Sequence, residues 1–168
     1  MALIVEDGSG VPGANSYIDV SEARAYADAR GLSLPSDDQA VERLLVSAMD
    51  YLEARRAEYK GTKANPANPL QWPRAGVEID GVPFPSDAIP IELKWAQAQL
   101  AVEQAAGRDL MPTSTGKEVI SERVEGAVER KYNPSGDPNA QPIFTKVEAF
   151  LKPLLRNGSL GHLTVTRA

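Results

Sequence analysis

A proline-rich but apolar stretch, residues 70–90, constrains the fold of this chain more than any other feature. Its four prolines fix φ and remove backbone donors, so it can form neither a continuous helix nor a central strand. It also carries an indole and a phenyl ring, which a solvated linker has no reason to hold. We therefore predict an ordered loop packed across helices and call residues 70–90 the clasp. Its expected structural residues are Trp72, Pro73, Arg74, Phe84 and Pro90.

Helical patterns flank the clasp on both sides. Apolar residues recur at three-and-four spacing, most clearly from Val41 to Leu52, with charged residues on the opposite face. The pattern after Ile89-Pro90 is apolar around more than one stripe, so that helix should be covered on two sides. Capping residues and glycines mark the ends, with Ser21 a start of the first helix and Ser36 or Asp37 a cap of the second. The predicted helices span about residues 21–30, 37–60, 90–106 and 143–155.

The sequence changes character after the third helix. Short apolar segments on both sides of Gly126 predict a β-hairpin over about residues 118–132. Residues 133–142 are rich in proline and polar side chains and predict a loop. Residues 157–168 contain few apolar side chains and predict an extended C-terminal arm. The predicted fold is mainly α, a small bundle of three to four helices with a short β-hairpin and extended terminal arms, in a single domain of residues 1–156.

Composition narrows the classes of function. The 168 residues include no cysteine and one histidine, and the net charge is −5. Disulfides and thiolate metal sites are therefore excluded, and a protein whose main task is to neutralise phosphates is disfavoured. A negative charge suits a protein that guides DNA without binding it tightly. The apolar run at the N-terminus is too short for a signal peptide, and none reaches the length of a membrane span, which predicts a cytoplasmic protein without a membrane contact.

Three motifs raise the question of an enzyme. The turn from Gly8 to Gly13 satisfies the spacing GxGxxG, but Pro12 lies inside it and no repeated strand–helix–strand units follow. The acidic pairs, such as Glu6 with Asp7, lack metal-binding or acid–base partners, and His162 is poorly placed for a triad. We predict no enzyme, no cofactor and no metal site. A nucleotide-binding enzyme stays as an alternative that a thermal-shift experiment with nucleotides would test.

Single-stranded DNA binding is a further alternative. Such binding needs a basic groove with aromatic side chains on which bases stack. Several basic and aromatic residues lie close together in sequence near the end of the second predicted helix and in the clasp. These candidates are Arg55, Arg56, Tyr59, Lys60, Lys63, Trp72 and Arg74.

A series of short motifs resembles the head-tail adaptor (connector) proteins of tailed bacteriophages. The opening similarity comprises residues 5–10, the segment Ala14-Asn15-Ser16-Tyr17, and Arg30-Gly31. It continues through Asp50-Tyr51-Leu52-Glu53 and Leu70-Gln71-Trp72-Pro73-Arg74-Ala75-Gly76-Val77. It then extends through Ile89-Pro90 and the alanine-rich third helix to residues 124–132, about three quarters of the chain. Proteins of this kind often carry the label DnaT-like single-stranded DNA-binding.

This resemblance implies a structural virion protein of the neck, assembled in the host bacterial cytoplasm. Such an adaptor binds the portal protein as a ring of copies, expected to be dodecameric, and links the capsid vertex to the tail. Its other partner would be a tail-side connector or tail terminator protein, and genomic DNA would pass through the lumen without specific binding. Single-stranded DNA binding of the DnaT-like kind remains the alternative function.

The resemblance also directs attention to contact residues. We expect the third helix, through Trp95, and the clasp to form subunit contacts. We expect the C-terminal arm to engage the portal. The candidate contact residues on that arm are Leu160, His162, Leu163, Val165 and Arg167.

Overall fold

The computed structural model of the chain describes residues 2–112, 118–124, 128–133 and 143–156. Two compact units are present, one formed by Met1–Arg108 with Phe144–Ala168 and the other by Asp109–Ile143. The single domain of residues 1–156 stays a prediction. Helices dominate the structure, which confirms the predicted mainly α fold with a short β-hairpin. The predicted loop at 133–142 falls almost entirely, and the C-terminal arm at 157–168 entirely, outside the described residues.

Four α-helices and one 3₁₀ turn belong to the larger unit. They are α1 (Val20–Asp28), α2 (Asp38–Ala54), α3 (Ile91–Ala105), α4 (Thr145–Leu151) and the 3₁₀ turn Lys152–Leu154. The prediction that the second helix reaches Lys60 is wrong by about a turn and a half. The N–H groups of Arg55 and Arg56 bond three residues back, which tightens the last turn, and the chain then places Tyr59 in a bridge with Leu155. Pro153 lies in the 3₁₀ turn, as expected of a residue that cannot continue an α-helix.

The starts of α1 and α2 are set by aspartate caps. The Asp19 carboxylate accepts the Glu22 N–H at 2.8 Å, while the Glu22 carboxylate accepts the Asp19 N–H at 3.1 Å. This reciprocal capping box begins α1 at Val20, slightly before the predicted start at Ser21. Asp37, one of the two predicted caps of α2, accepts the Ala40 N–H at 3.0 Å.

The core of the larger unit lies around α3. This helix packs against α1, α2 and α4. Its buried face includes Leu93, Ala96, Leu100 and Ala101, each with an exposure of zero. The small alanine side chains allow the neighbouring helices to approach closely. Much of the apolar surface that α3 carries outside a single stripe is therefore covered within the subunit. Trp95 and Ile91 remain partly exposed, at 36% and 49%.

Three antiparallel strand pairs complete the described structure. In the clasp region, β1 (Thr62–Lys63) pairs with β2 (Arg74–Ala75), and β3 (Glu78–Ile79) pairs with β4 (Val82–Pro83). In the smaller unit, β5 (Glu118–Val124) pairs with β6 (Val128–Asn133), with a register shift between Val119 and Ser121. This pair lies where the sequence predicts a hairpin.

Gln97 makes the central polar contact of the helical core. Its side chain has no exposure, and its carbonyl oxygen accepts the Tyr17 N–H at 2.9 Å. Its amide group donates to the Leu45 carbonyl oxygen at 3.0 Å and to the Ser16 hydroxyl at 2.8 Å. One glutamine on α3 therefore holds the N-terminal segment and α2 by their backbones, and each of these groups would be costly to bury without a partner.

Replacement of the Gln97 side chain by an apolar one should destabilise the fold. Gln97→Leu leaves the Tyr17 N–H buried without a partner, while the Leu45 carbonyl, inside α2, keeps its helical hydrogen bond. We therefore expect the free energy of unfolding to fall by about 2 kcal/mol. Urea denaturation measures this change. Gln99→Leu is the matched control, because the partners of Gln99 are the Tyr26 hydroxyl and the Glu103 carboxylate and not the backbone. An equal loss in both variants would contradict this role of Gln97.

Candidate functional site: the clasp and the residues beside it

Trp72 is the anchor of the clasp. Its side chain has no exposure and packs edge-on against two aromatic rings, with ring centroids 5.9 Å from Tyr59 and 6.3 Å from Phe84. Such edge-to-face pairs add to the free energy that burial supplies. The indole Nε1 has no hydrogen-bond partner among the described residues. Trp72 thus contributes through packing and not through its polar atom.

The predicted clasp residues Pro73 and Pro90 are both buried. Pro73 follows Trp72 through a cis peptide bond. Pro90 occupies the N-cap position of α3, directly before Ile91. Phe84 is half-buried and its N–H donates to the Val77 carbonyl oxygen at 2.8 Å, which closes the loop that contains β3 and β4.

Arg74 is engaged by backbone atoms of its own subunit. Its residue exposure is 5%, and its Nε and Nη2 atoms donate to the carbonyl oxygens of Lys60 at 2.7 Å and Gly61 at 2.9 Å. The guanidinium lies 5.9 Å from the centroid of the Tyr59 ring. Burial, followed by the nearby charge of Arg156, lowers the pKa of Arg74. This cation binds the clasp to the segment after α2 and has little surface left for a ligand.

A buried polar network joins α2 to the clasp. The Tyr17 hydroxyl donates to the Glu53 carboxylate at 2.9 Å and accepts the Trp72 N–H at 3.1 Å. The Gln71 N–H donates to the same carboxylate oxygen at 3.1 Å. Burial, and then the Glu53 charge, raise the pKa of Tyr17 well above its ordinary value, so this hydroxyl stays protonated. Burial also raises the pKa of Glu53, against the opposing effect of these hydrogen bonds.

The glycine-rich turn wraps around a buried carboxylate. Glu6 has no exposure, and its two oxygens accept the N–H groups of Gly8, Gly10 and Val11 at 2.8–2.9 Å. The Asn68 side chain donates to the same carboxylate at 3.1 Å. A dinucleotide site would present backbone N–H groups of this turn to a pyrophosphate. Here three of those groups are bonded to Glu6.

The structure does not arrange the predicted DNA-binding residues as a basic groove. Tyr59 and Trp72 are buried, so neither ring offers a face for stacking. Arg55 forms ion pairs with Glu58 and Glu148. The ammonium groups of the two lysines donate to main-chain carbonyls, that of Lys60 to Glu78 and that of Lys63 to Asn68. Arg56 alone of the set is an exposed cation without an ion pair among the described residues.

The predicted contact residues fall into two groups. Trp95 lies on α3, 36% exposed, with its ring centroid 5.7 Å from that of Phe150. The other five candidates belong to the C-terminal arm and lie outside the described residues. They are Leu160, His162, Leu163, Val165 and Arg167.

Two features of this region were missed by the sequence analysis. The hairpin of β3 and β4 turns at Asp80-Gly81, a dipeptide that is a strong hairpin signal between apolar residues and could have been recognised. The role of Glu6 could not be recognised, because its partners depend on the path of the glycine turn.

No helix of the described chain is long and apolar enough to cross a membrane. No group of three potential metal ligands is found among the described residues.

Comparisons with known proteins give one match. The model of a family described as "Putative DnaT-like ssDNA binding protein" matches residues 1–168. No curated protein and no solved structure matches the chain.

The packing role of Trp72 leads to a stability prediction. Trp72→Ala should lower the free energy of unfolding by about 3–5 kcal/mol, because a fully buried ring leaves a cavity. Trp72→Phe should cost much less, since the indole N–H makes no bond to lose and a ring still contacts Tyr59 and Phe84. Denaturant titration measures both. Trp95→Ala is the matched control at a partly exposed tryptophan, and a larger loss there would contradict the anchor role of Trp72.

The raised pKa of Glu53 leads to a pH prediction. A carboxyl whose pKa in the folded state exceeds its ordinary value of 4.5 stabilises the fold most at low pH, and this contribution is lost as pH rises through the raised pKa. Glu53→Gln keeps an acceptor for the Tyr17 hydroxyl without the charge. Its stability relative to the unsubstituted protein should therefore increase as pH rises above 4.5 and then level off.

Denaturation series at several pH values measure this difference. Asp50→Asn, at an exposed carboxylate on the same helix, is the control. A relative stability of Glu53→Gln that falls with rising pH would contradict the assignment.

Proposed function

The chain belongs to the DnaT-like ssDNA-binding family, and we propose that it serves as a structural adaptor in the neck of a tailed-bacteriophage virion. One observation carries this proposal. The aromatic and basic side chains that would form a DNA-binding groove are engaged within the subunit, where Trp72 is unexposed and Arg74 bonds to carbonyl oxygens. These side chains stabilise the fold of the subunit. An adaptor that links two partners needs such a rigid fold.

The charge of the chain favours the same function. With a net charge of −5, a ring of many copies carries a strongly negative charge. DNA that passes through such a ring gains little from counterion release, so it is not retained. The order of motifs that resembles head-tail adaptors supplies the partners. These are the portal protein, further copies of the chain in a ring, and a tail-side connector or tail terminator.

The residues that precede the C-terminal arm have a defined position on the subunit. The Lys60 N–H donates to the Leu154 carbonyl at 2.9 Å, and the Arg156 N–H donates to the Glu58 carbonyl at 2.6 Å. A side-chain nitrogen of Arg156 also donates to the Gly61 carbonyl at 2.9 Å. Residues 154–156 are therefore fixed to the segment that follows α2. We assign the arm after them to the contact with the portal.

Removal of residues 157–168 tests the adaptor function. The truncated chain should keep its midpoint of urea denaturation, because residues 157–168 contain few apolar side chains, and should lose binding to purified portal rings. Electron microscopy and co-sedimentation with the portal protein of the same virus measure this. The full-length variant with Leu160, Leu163 and Val165 changed to serine separates loss of apolar contacts from loss of length. Unchanged binding by both variants would overturn the assignment of the arm.

Single-stranded DNA binding is the second candidate function, and the description of the matching family favours it. The described cations that could contribute most directly are Arg56, which is exposed, and Lys60. Arg55 is less suited to a test, because removal of its charge would break two ion pairs.

An oligonucleotide titration distinguishes the two functions. From the buried positions of Tyr59 and Trp72, we expect binding of single-stranded DNA at physiological salt to be undetectable in the micromolar range. Fluorescence anisotropy with a labelled oligonucleotide measures it. Tight binding that is lost in the double variant Arg56→Gln with Lys60→Gln, at unchanged stability, would favour the DNA-binding function over the adaptor.

A further inference from the structure

A groove between α1 and α3 is lined by the residue types that dominate protein interfaces. Its volume is about 310 Å³, and we call it the α1–α3 groove. Tyrosine, tryptophan and arginine supply most binding energy at interfaces, and all three occur here with Ile91, which is 49% exposed. Its principal lining residues are Tyr26, Arg30, Ile91, Lys94 and Trp95.

Arg30 is held in place over this groove. Its guanidinium carbon lies 3.8 Å from the centroid of the Tyr26 ring and 5.7 Å from that of Trp95, and it donates to the Tyr26 carbonyl at 3.2 Å. Arg30 forms no ion pair among the described residues, whereas Lys94 pairs with Glu22 at 3.0 Å. The groove thus combines an apolar floor with one uncompensated, pre-positioned positive charge.

The tip of the β3–β4 hairpin has the complementary properties. Asp80 and Gly81 both have positive φ, 51° and 79°, which is the turn geometry that matches the twist of a tight two-residue hairpin. The turn presents Val82 to solvent at 65% exposure. The carboxylate of Asp80, in the turn itself, is exposed and forms no ion pair among the described residues. Glu78 is also exposed, but it precedes Ile79, the cross-strand partner of Val82, so the alternation of side chains along a strand places Glu78 on the opposite face of the hairpin. The tip therefore presents one apolar side chain and one unpaired negative charge.

We propose that the hairpin tip of one copy of this chain docks into the α1–α3 groove of the next copy. Val82 covers the exposed parts of Ile91 and Trp95, and the Asp80 carboxylate faces Arg30. The two surfaces share no residue, so the contact is heterologous, and repetition of a heterologous contact builds a ring when the rotation closes. This contact rests on the proposed adaptor function and names the surfaces by which its subunits meet.

A second copy fits the groove better than a nucleic acid does. The groove offers one free cation among its principal residues, and its other cation is paired with Glu22, so phosphates would find little charge. The hairpin tip brings both features that complement the groove, an apolar side chain for the apolar floor and a negative charge for Arg30. Charge complementarity of this kind selects the partner and orients it.

Disulfide trapping tests the contact in the full-length chain. The protein has no cysteine, so single substitutions give a clean background. Val82→Cys is mixed with Ile91→Cys under oxidised glutathione, and covalent dimers are followed by non-reducing electrophoresis. We expect this pair to cross-link at least about tenfold faster than Val82→Cys with Ile143→Cys. Ile143 is a stringent control, because it is 82% exposed and lies in neither surface.

A charge exchange sharpens the test. Arg30→Glu on the Ile91→Cys chain should slow trapping by about tenfold, and Asp80→Lys on the Val82→Cys chain should restore it. Equal trapping rates for the Ile91 and Ile143 pairs, or charge variants without effect, would overturn the contact. Oligonucleotide binding that is lost in Arg30→Glu or Trp95→Ala would likewise overturn it and assign the groove to DNA.

The outcome can be separated from that of the adaptor function. If Val82→Asp abolishes rings on the portal while the isolated subunit stays folded, both proposals stand. If rings form on the portal with Val82→Asp as they do without it, the contact is wrong and the adaptor function stands. If trapping succeeds but the chain does not bind the portal, the copies associate through this contact and the adaptor function is wrong.

Discussion

The larger unit depends most on the hydrogen bonds of Tyr17, and above all on those of its hydroxyl group. It donates to Glu53 on α2 and accepts from the backbone of Trp72 in the clasp, while the backbone N–H of the same residue binds Gln97 on α3. One fully buried residue thus connects the N-terminal segment, two helices and the clasp. In an interior of low polarity such bonds are strong, and any unpaired member is costly, so the four elements hold one arrangement.

This network explains why an apolar, proline-rich loop is ordered. The prolines supply no backbone donors, and the strand pairs of the clasp are only two residues long, so strand pairing alone holds the clasp weakly. Packing of Trp72 and the hydrogen bonds of Arg74 to main-chain carbonyls take over that task. Residues that resemble a DNA-binding set in the sequence are thereby used for internal structure. The hairpin tip with Asp80 and the groove that contains Arg30 and Trp95 lie at the surface.

The sequence predicts those parts of the fold that local patterns encode. The long apolar stripes of α2 and α3 identified both helices, but the end of α2 was placed too late because Tyr59 continues the helical spacing and yet bridges to Leu155. The hydrogen bond between Tyr17 and Gln97 joins residues 80 positions apart. No periodicity reports such a contact, so the polar network and the cage around Glu6 were beyond prediction. The turn at Asp80-Gly81 was within reach of local rules.

The bridge between Tyr59 and Leu155 also joins two segments that lie far apart in the sequence. The Lys60 N–H bonds to the Leu154 carbonyl oxygen, and the Arg156 N–H bonds to that of Glu58. The end of α4 therefore cannot move away from the segment after α2 unless these backbone hydrogen bonds break together. Local opening of either segment exposes the other, so the two form one cooperative unit.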